Sequence, residues 1–263
     1  MSVRDTLLDL DLSPIDCLYR LQRDQNNARR VLYVNVTDIS ILPEDTRTSN
    51  DELVRELSKI QGWDGDWNTV TVSKLDSQVQ CFWNNFEAHA LPKENILGQY
   101  PFFDVLDLRI ITRKKLRVKY VNNGSDGFGF ELPWIATEIN VYHDLAREES
   151  TLAPRLLGYV YEGPERRVIG YLLEEISGRP AALVDLEDCK KALRRLHDLG
   201  LVHGDPIRHN IVITDSGPKF IDFEDACRKP SDDSKGWNAM REGDLRKLEK
   251  GLMDTSNNGQ PRD

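Results

Sequence analysis

Within LVHGDPIRHNIVITDSGPKFIDFEDA, Leu201 to Ala226, three residues have types and spacings that can do chemistry: Asp205, Asn210 and Asp222. The turn signal DSG separates two short apolar runs, NIVIT and KFID, so these are expected to pair as a hairpin whose open end brings Asn210 close to Asp222. An amide oxygen and a carboxylate at one point are hard ligands. They suit Mg²⁺, which keeps several waters and is held by one or two carboxylates together with substrate phosphates. Asp205 is then left to accept a proton from an attacking hydroxyl.

Several elements must hold these groups in place. DLEDCKKALRRLHDLG reads as a helix capped by Asp185, with Leu186, Leu193, Leu196 and Leu199 on one face and Gly200 as its stop. RLLGYVYEG and RRVIGYLLEEI read as paired strands with PE at the turn, and PWIATEINVYHDLAREE as an amphipathic helix with Ile135, Ile139, Tyr142 and Ala146 on its stripe. That helix carries Glu138 beside the stripe. FDVLDLRII and KLRVKYV are expected to form a hairpin around TRKK. The first 95 residues offer the strand RVLYVNV, a helix capped by Ser49 or Asn50, and the β-like runs NTVTVSKL and QVQCFWNNF, none with recognisable chemistry.

Bulk properties narrow the classes. The chain has 263 residues, 39% hydrophobic and 30% charged, and no run approaches the ~20 apolar residues of a membrane span. The N-terminus lacks a leader pattern, so a cytoplasmic address is expected. A net charge of -9 opposes nucleic acid, and TRKKLRVK reads as a solvated turn. Cys17, Cys81, Cys189 and Cys227 are scattered and read as free thiols, while His143, His197 and His209 lack zinc spacing. Phe102, Phe103, Trp134 and Trp237 are expected in the core.

HxDxxxxN, as His203, Asp205 and Asn210, followed 12 residues later by Asp222, resembles the catalytic and metal-binding loops of the protein-kinase-like superfamily. Gly204, where protein kinases usually have Arg, makes the loop similar to that of aminoglycoside phosphotransferases and related small kinases, and implies no phosphorylated-loop switch. The resemblance implies an α+β fold with two lobes. Residues 1–95 would be an N-terminal extension on the small lobe, 96–175 the N-lobe, 176–252 a shortened C-lobe and 253–263 a disordered tail.

It also implies roles. Lys119 in RVKYV would hold ATP phosphates, oriented by Glu138, 19 residues later. Asn210 and Asp222 would hold Mg²⁺, and Asp205 would act on the acceptor hydroxyl. YLLEEISG resembles the hinge, with the backbone of Glu175 and Ile176 meeting the adenine. LGQYPFFDV resembles the glycine-rich loop at Gly98, although Tyr100 and Phe103 stand at its second and third glycine positions. Ile207 occupies the place of a phosphoryl-steadying Lys, for which Arg208 or His209 are candidate substitutes. Glu224 and Asp225 read either as extra metal ligands or as solvated acids.

The reaction expected is ATP- and Mg²⁺-dependent transfer to a hydroxyl of a small molecule, with a protein partner and the oligomeric state left open. Two rival readings are a pseudokinase scaffold and a cleft reused for other chemistry such as adenylyl transfer.

Overall fold

Alternating apolar residues in VLYVNV and its neighbours build a five-stranded sheet from β1 (Arg4–Leu12), β2 (Cys17–Gln25), β3 (Ala28–Val36), β4 (Thr69–Leu75) and β5 (Gln78–Trp83), in that order. β3 and β4 run parallel, joined through α1 (Asn50–Leu57), and the other pairs are antiparallel. The computed structural model describes residues 3–76, 78–108, 131–163, 166–231 and 234–254, and the backbone of 118–120. Ser49 precedes α1 without a side-chain cap bond, and Asn50 instead accepts the Leu7 N–H at 2.6 Å, tying the helix to β1.

One face of this sheet closes on α1 around Tyr19, Leu32, Val34, Leu53, Leu57, Trp63 and Trp67. Arg23, fully buried, enters that face. Its guanidinium donates twice to Asp5, each at 2.8 Å, and once to Trp63 O, close to the rings of both Trp63 and Trp67. The opposite face, through Leu18, Val31 and Tyr33, meets Phe86, Ala88, Val105 and Leu106.

A second sheet contains β6 (Phe102–Asp104), β7 (Val118–Tyr120), β8 (Leu156–Glu162) and β9 (Arg167–Leu173), ordered β6-β8-β9-β7. β8 and β9 form the antiparallel pair expected from their sequence. At the β8 end, the buried Glu162 carboxylate accepts from Arg20, from the Tyr33 hydroxyl at 2.5 Å and from Arg167 at 2.5 Å, fastening β2 and β3 of the first sheet to the second. Against this sheet lies α2 (Glu131–Arg147), burying Ile135, Ile139, Tyr142 and Leu145. Ala146, expected on that stripe, is exposed, because Leu145 takes the inward position. Trp134 is likewise 43% exposed on α2 rather than in the core.

After β9 the chain runs extended to β10 (Arg179–Pro180), then α3 (Leu186–Asp198), β11 (Leu201–Val202), β12 (Ile211–Thr214), β13 (Gly217–Phe220), β14 (Cys227–Arg228) and α4 (Ser234–Met253). Asp185 caps the 3-10 turn ahead of α3 by accepting the Ala182 N–H at 2.9 Å, while Gly200 closes α3 at φ +79°. One core joins α2, β8, β9, α3, the β12–β13 hairpin and α4. Trp237 on α4 is buried. The architecture is α+β and kinase-like. Among the described residues no helix is long and apolar enough to cross a membrane.

Candidate active site

The β12–β13 hairpin pairs Ile211 with Phe220, and Ile221 N–H donates to Asn210 O at 3.0 Å, so the residues flanking its open end are Asn210 and Asp222. Ahead of it the loop from His203 turns back on itself: Ile207 N–H donates to Asp205 O and Asn210 N–H to Ile207 O. The Asn210 Nδ2 group donates to Asp205 O at 3.0 Å and to Asp205 Oδ2 at 3.2 Å. Asn210 thus orients the Asp205 carboxylate. Both of its recorded bonds leave through Nδ2, so Oδ1 stays available as a hard ligand.

Asp222 has φ +68°, a left-handed conformation uncommon for a residue with a side chain. Such strain costs about 1–3 kcal/mol and persists where the surroundings impose it. Here the flanking residues are fixed by Asn210 O on one side and the Phe223 O to Ala226 N–H turn on the other. Carboxylate oxygens of Asp222, Glu138 and Glu224 all lie within 4.8 Å of one another. Glu224 therefore sits at the site rather than in open solvent. This convergence, with Asn210 nearby on the hairpin, suits a divalent cation.

The base of the loop rests on α4. The Asp244 carboxylate, 3% exposed, accepts His197 Nε2–H at 3.0 Å, His203 N–H at 2.8 Å and Gly204 N–H at 3.0 Å. Lys247, one turn on, donates to Gly204 O. A Cβ placed on Gly251 would lie 3.0 Å from Ile207, and Arg208 Nη1 donates to Asp254 O at 3.5 Å. One face of α4 thus follows the loop from His203 to Arg208. Ile207 is turned to α4, Arg208 reaches its end, and the cation placed beside the loop backbone is Lys247.

His203 is a structural residue. It is fully buried, its Nε2–H donates to Ile221 O at 3.1 Å, and burial lowers its pKa below 6.5, so it is neutral. Rings connect it to α2: His203 to Phe223 at 4.8 Å, Phe223 to Tyr142 at 5.5 Å, Tyr142 to Tyr171 at 5.9 Å. Tyr142 is four residues past Glu138, and its hydroxyl reaches Glu138 Oε1 at 3.4 Å. Glu138 is 1% exposed.

β7 places Lys119 opposite Tyr171 in the antiparallel β7–β9 register; its side chain lies outside the described residues. The extended 174–178 segment leaves the backbone of Glu175 and Ile176 without hydrogen bonds among the described residues, while Glu174 N–H is used by Arg155 O. Gly98 is a correction. The Leu97–Val105 segment pairs in parallel with β8, and β8 and β9 separate it from the Lys119 strand. Phe103 packs half-buried on Val160, Ile169 and Leu172, and Tyr100, also half-buried, stacks on His143. Gly98 therefore does not face the position of Lys119, and the two aromatics do not replace phosphate-binding glycines. The hairpin expected around TRKK lies outside the described residues, as does 255–263 of the tail.

Residues 142–230, about a third of the chain, match the family model of the phosphotransferase enzyme family. That segment is similar to the family. The match runs from Tyr142 through β8, β9, the 174–178 segment, α3 and the Asp205–Asp222 hairpin to Pro230, so it includes Asp205, Asn210 and Asp222 and begins just after Glu138. No curated protein matches the chain.

Asp244, missed in the sequence, is the group from which an acid dependence of this loop's packing is expected. Burial pushes its carboxyl up, but the hydrogen bonds from His197 and from the His203 and Gly204 amides outweigh that and hold it below 3.8. A carboxyl lowered in the folded state contributes fully above its unfolded value and loses that contribution as pH falls through the folded one. Urea unfolding below pH 4 should therefore show a steeper loss in wild type than in Asp244→Asn. At pH 7 that variant should be about 1.5–3 kcal/mol less stable, the range for hydrogen bonds to a charged group.

Proposed function

We propose that the chain transfers a phosphoryl group from ATP, with Mg²⁺, to a hydroxyl of a small molecule. The family match supports phosphotransferase-type activity in general. The observation that carries the finer reading is the geometry around Asp205. A carboxylate oriented by Asn210 adjoins a hairpin whose other arm presents Asp222, with Glu138 and Glu224 oxygens within 4.8 Å of it.

The residues present fit the implied group. Asn210 Oδ1 and the Asp222 carboxylate would hold the cation, and the backbone of Glu175 and Ile176 would meet the base. Bound MgATP supplies the phosphoryl group and the positive charge that steadies it. Asp205 then positions the acceptor hydroxyl and takes its proton. Glu138, buried and touched by Tyr142, is the acid this reading pairs with Lys119.

A ligand that binds only the folded state raises its apparent stability, by about 2.7 kcal/mol at 100 times its Kd. At roughly 2–4 °C per kcal/mol, millimolar ATP with Mg²⁺ should raise Tm by several degrees. Asp222→Asn should lose most of this shift. An unmoved wild-type Tm would sink the reading.

A further inference from the structure

We propose that the phosphoryl acceptor carries an apolar body beside its hydroxyl, seated by Leu183, Val184 and Met253; the proposal rests on the phosphotransfer reading. Pairs along α3 and α4 set the two helices antiparallel: Asp198 meets Arg241 at 3.3 Å, His197 meets Asp244 at 3.0 Å, and Lys190 meets Glu249. In that register the Leu183–Asp185 turn ahead of α3 comes to the C-terminal end of α4, against which it packs. This same end of α4 borders the catalytic loop, through Gly251 on Ile207 and Asp254 O on Arg208. Ile207 is two residues past Asp205, and its N–H donates to Asp205 O at 2.9 Å. Leu183, Val184 and Met253 thus gather where α4 runs out beside the loop that carries the proposed base.

These three side chains are 53%, 86% and 61% exposed. Single exposed apolar residues are ordinary, whereas several at one end of a helix pair, next to a reactive carboxylate, mark a binding surface. The charges around them are engaged with one another. Arg179 donates to both Asp185 oxygens, at 2.6 and 2.7 Å, and Lys190 bridges Glu187 and Glu249. Such a fringe offers little to a highly charged acceptor, while burial against Leu183, Val184 and Met253 favours a molecule with a hydrocarbon face. Residues 255–263, TSNNGQPRD, continue from this point and hold no large apolar side chain, so they do not match the patch. With its hydrocarbon face on the patch and its hydroxyl at Asp205, the acceptor bonds through oxygen to the γ-phosphorus. The bond from that phosphorus to the ADP oxygen breaks, and the hydroxyl proton passes to Asp205.

The probes are the straight-chain primary alcohols from ethanol to hexanol, offered to the full chain with γ-labelled ATP and Mg²⁺. Label is recovered as alkyl phosphate and, from water, as inorganic phosphate. In wild type the alkyl phosphate formed at equal alcohol concentration should rise about two- to four-fold with each added CH₂, the upper figure being that of a fully buried methylene. Val184→Ser combined with Met253→Ser changes only exposed positions, so the fold and the MgATP-dependent rise in Tm should persist while the series becomes nearly flat. A flat series in wild type, with label still released to water, overturns the proposal and leaves the functional reading standing. An increase as steep in the variant as in wild type overturns it too. Wild type that neither binds nor turns over MgATP sinks the functional reading, and this proposal with it. Sedimentation tests the other occupant: a wild-type dimer that comes apart in the variant means that a second copy sits on the patch, which also overturns the proposal.

Discussion

Gly204→Ala is expected to destabilise the fold by about 2–5 kcal/mol. Gly204 sits at φ +86°, and a Cβ there would lie 2.0 Å from Asp225 O and 2.6 Å from its carbonyl carbon. The left-handed conformation alone costs a residue with a Cβ roughly 1–2 kcal/mol. The overlap is with backbone, which cannot rotate away as a side chain does. Nor can the loop shift easily: Gly204 N–H is bonded to Asp244, its carbonyl to Lys247, and Val202 pairs with Cys227 in the β11–β14 ribbon. Forced overlap in a packed region typically adds about 1–3 kcal/mol and sometimes more. The sum is a large part of the roughly 5–15 kcal/mol that keeps a domain folded. Urea unfolding and soluble yield measure it. A Gly204→Ala protein within about 1 kcal/mol of wild type would show that the loop does not pack this way. The same contact explains why the arginine of the protein-kinase version of the loop has no place here.

The elements legible in the sequence were those whose signals are local. DSG between two apolar runs specifies a hairpin without help from the rest of the chain, and the register places Asn210 and Asp222 at its open end. The helix ending at Gly200 was legible for the same reason. β2 was not, because Arg20 on one face and Arg23 on the other interrupt its apolar pattern. Those charges are met by Glu162 and Asp5, partners 142 and 18 residues away in sequence. Gly98 was misplaced by a different cause. LGQYPFFDV matches a glycine-loop pattern along one dimension, but strand neighbourhood depends on tertiary pairing, and here Phe102 pairs with Tyr159. Asp244 did leave a signal. It shares a helical face with the buried Trp237, Leu248 and Leu252, and an acid on an apolar stripe calls for buried donors.

Asp205→Asn should separate catalysis from binding. The amide retains the shape of the carboxylate and an oxygen for Asn210 Nδ2, while the second Asn210 bond goes to the Asp205 backbone carbonyl and is untouched. Stability should therefore stay within about 1 kcal/mol of wild type. The MgATP-dependent rise in Tm should also persist, since Asp205 is not among the converging acids Glu138, Asp222 and Glu224. What the amide cannot do is take a proton. General-base catalysis contributes about 10²–10⁴-fold, so phosphate release from labelled ATP, with water as the acceptor, should fall by that factor. Water serves because the measurement then requires no knowledge of the natural acceptor. Asp222→Asn provides the opposite pattern, losing the Tm shift along with turnover. A scaffold that binds nucleotide without catalysis would show the shift in wild type and in Asp205→Asn, with no turnover in either. An Asp205→Asn protein releasing phosphate at the wild-type rate would remove Asp205 from the reaction, leaving Asn210 and Asp222 as a binding site for a different chemistry.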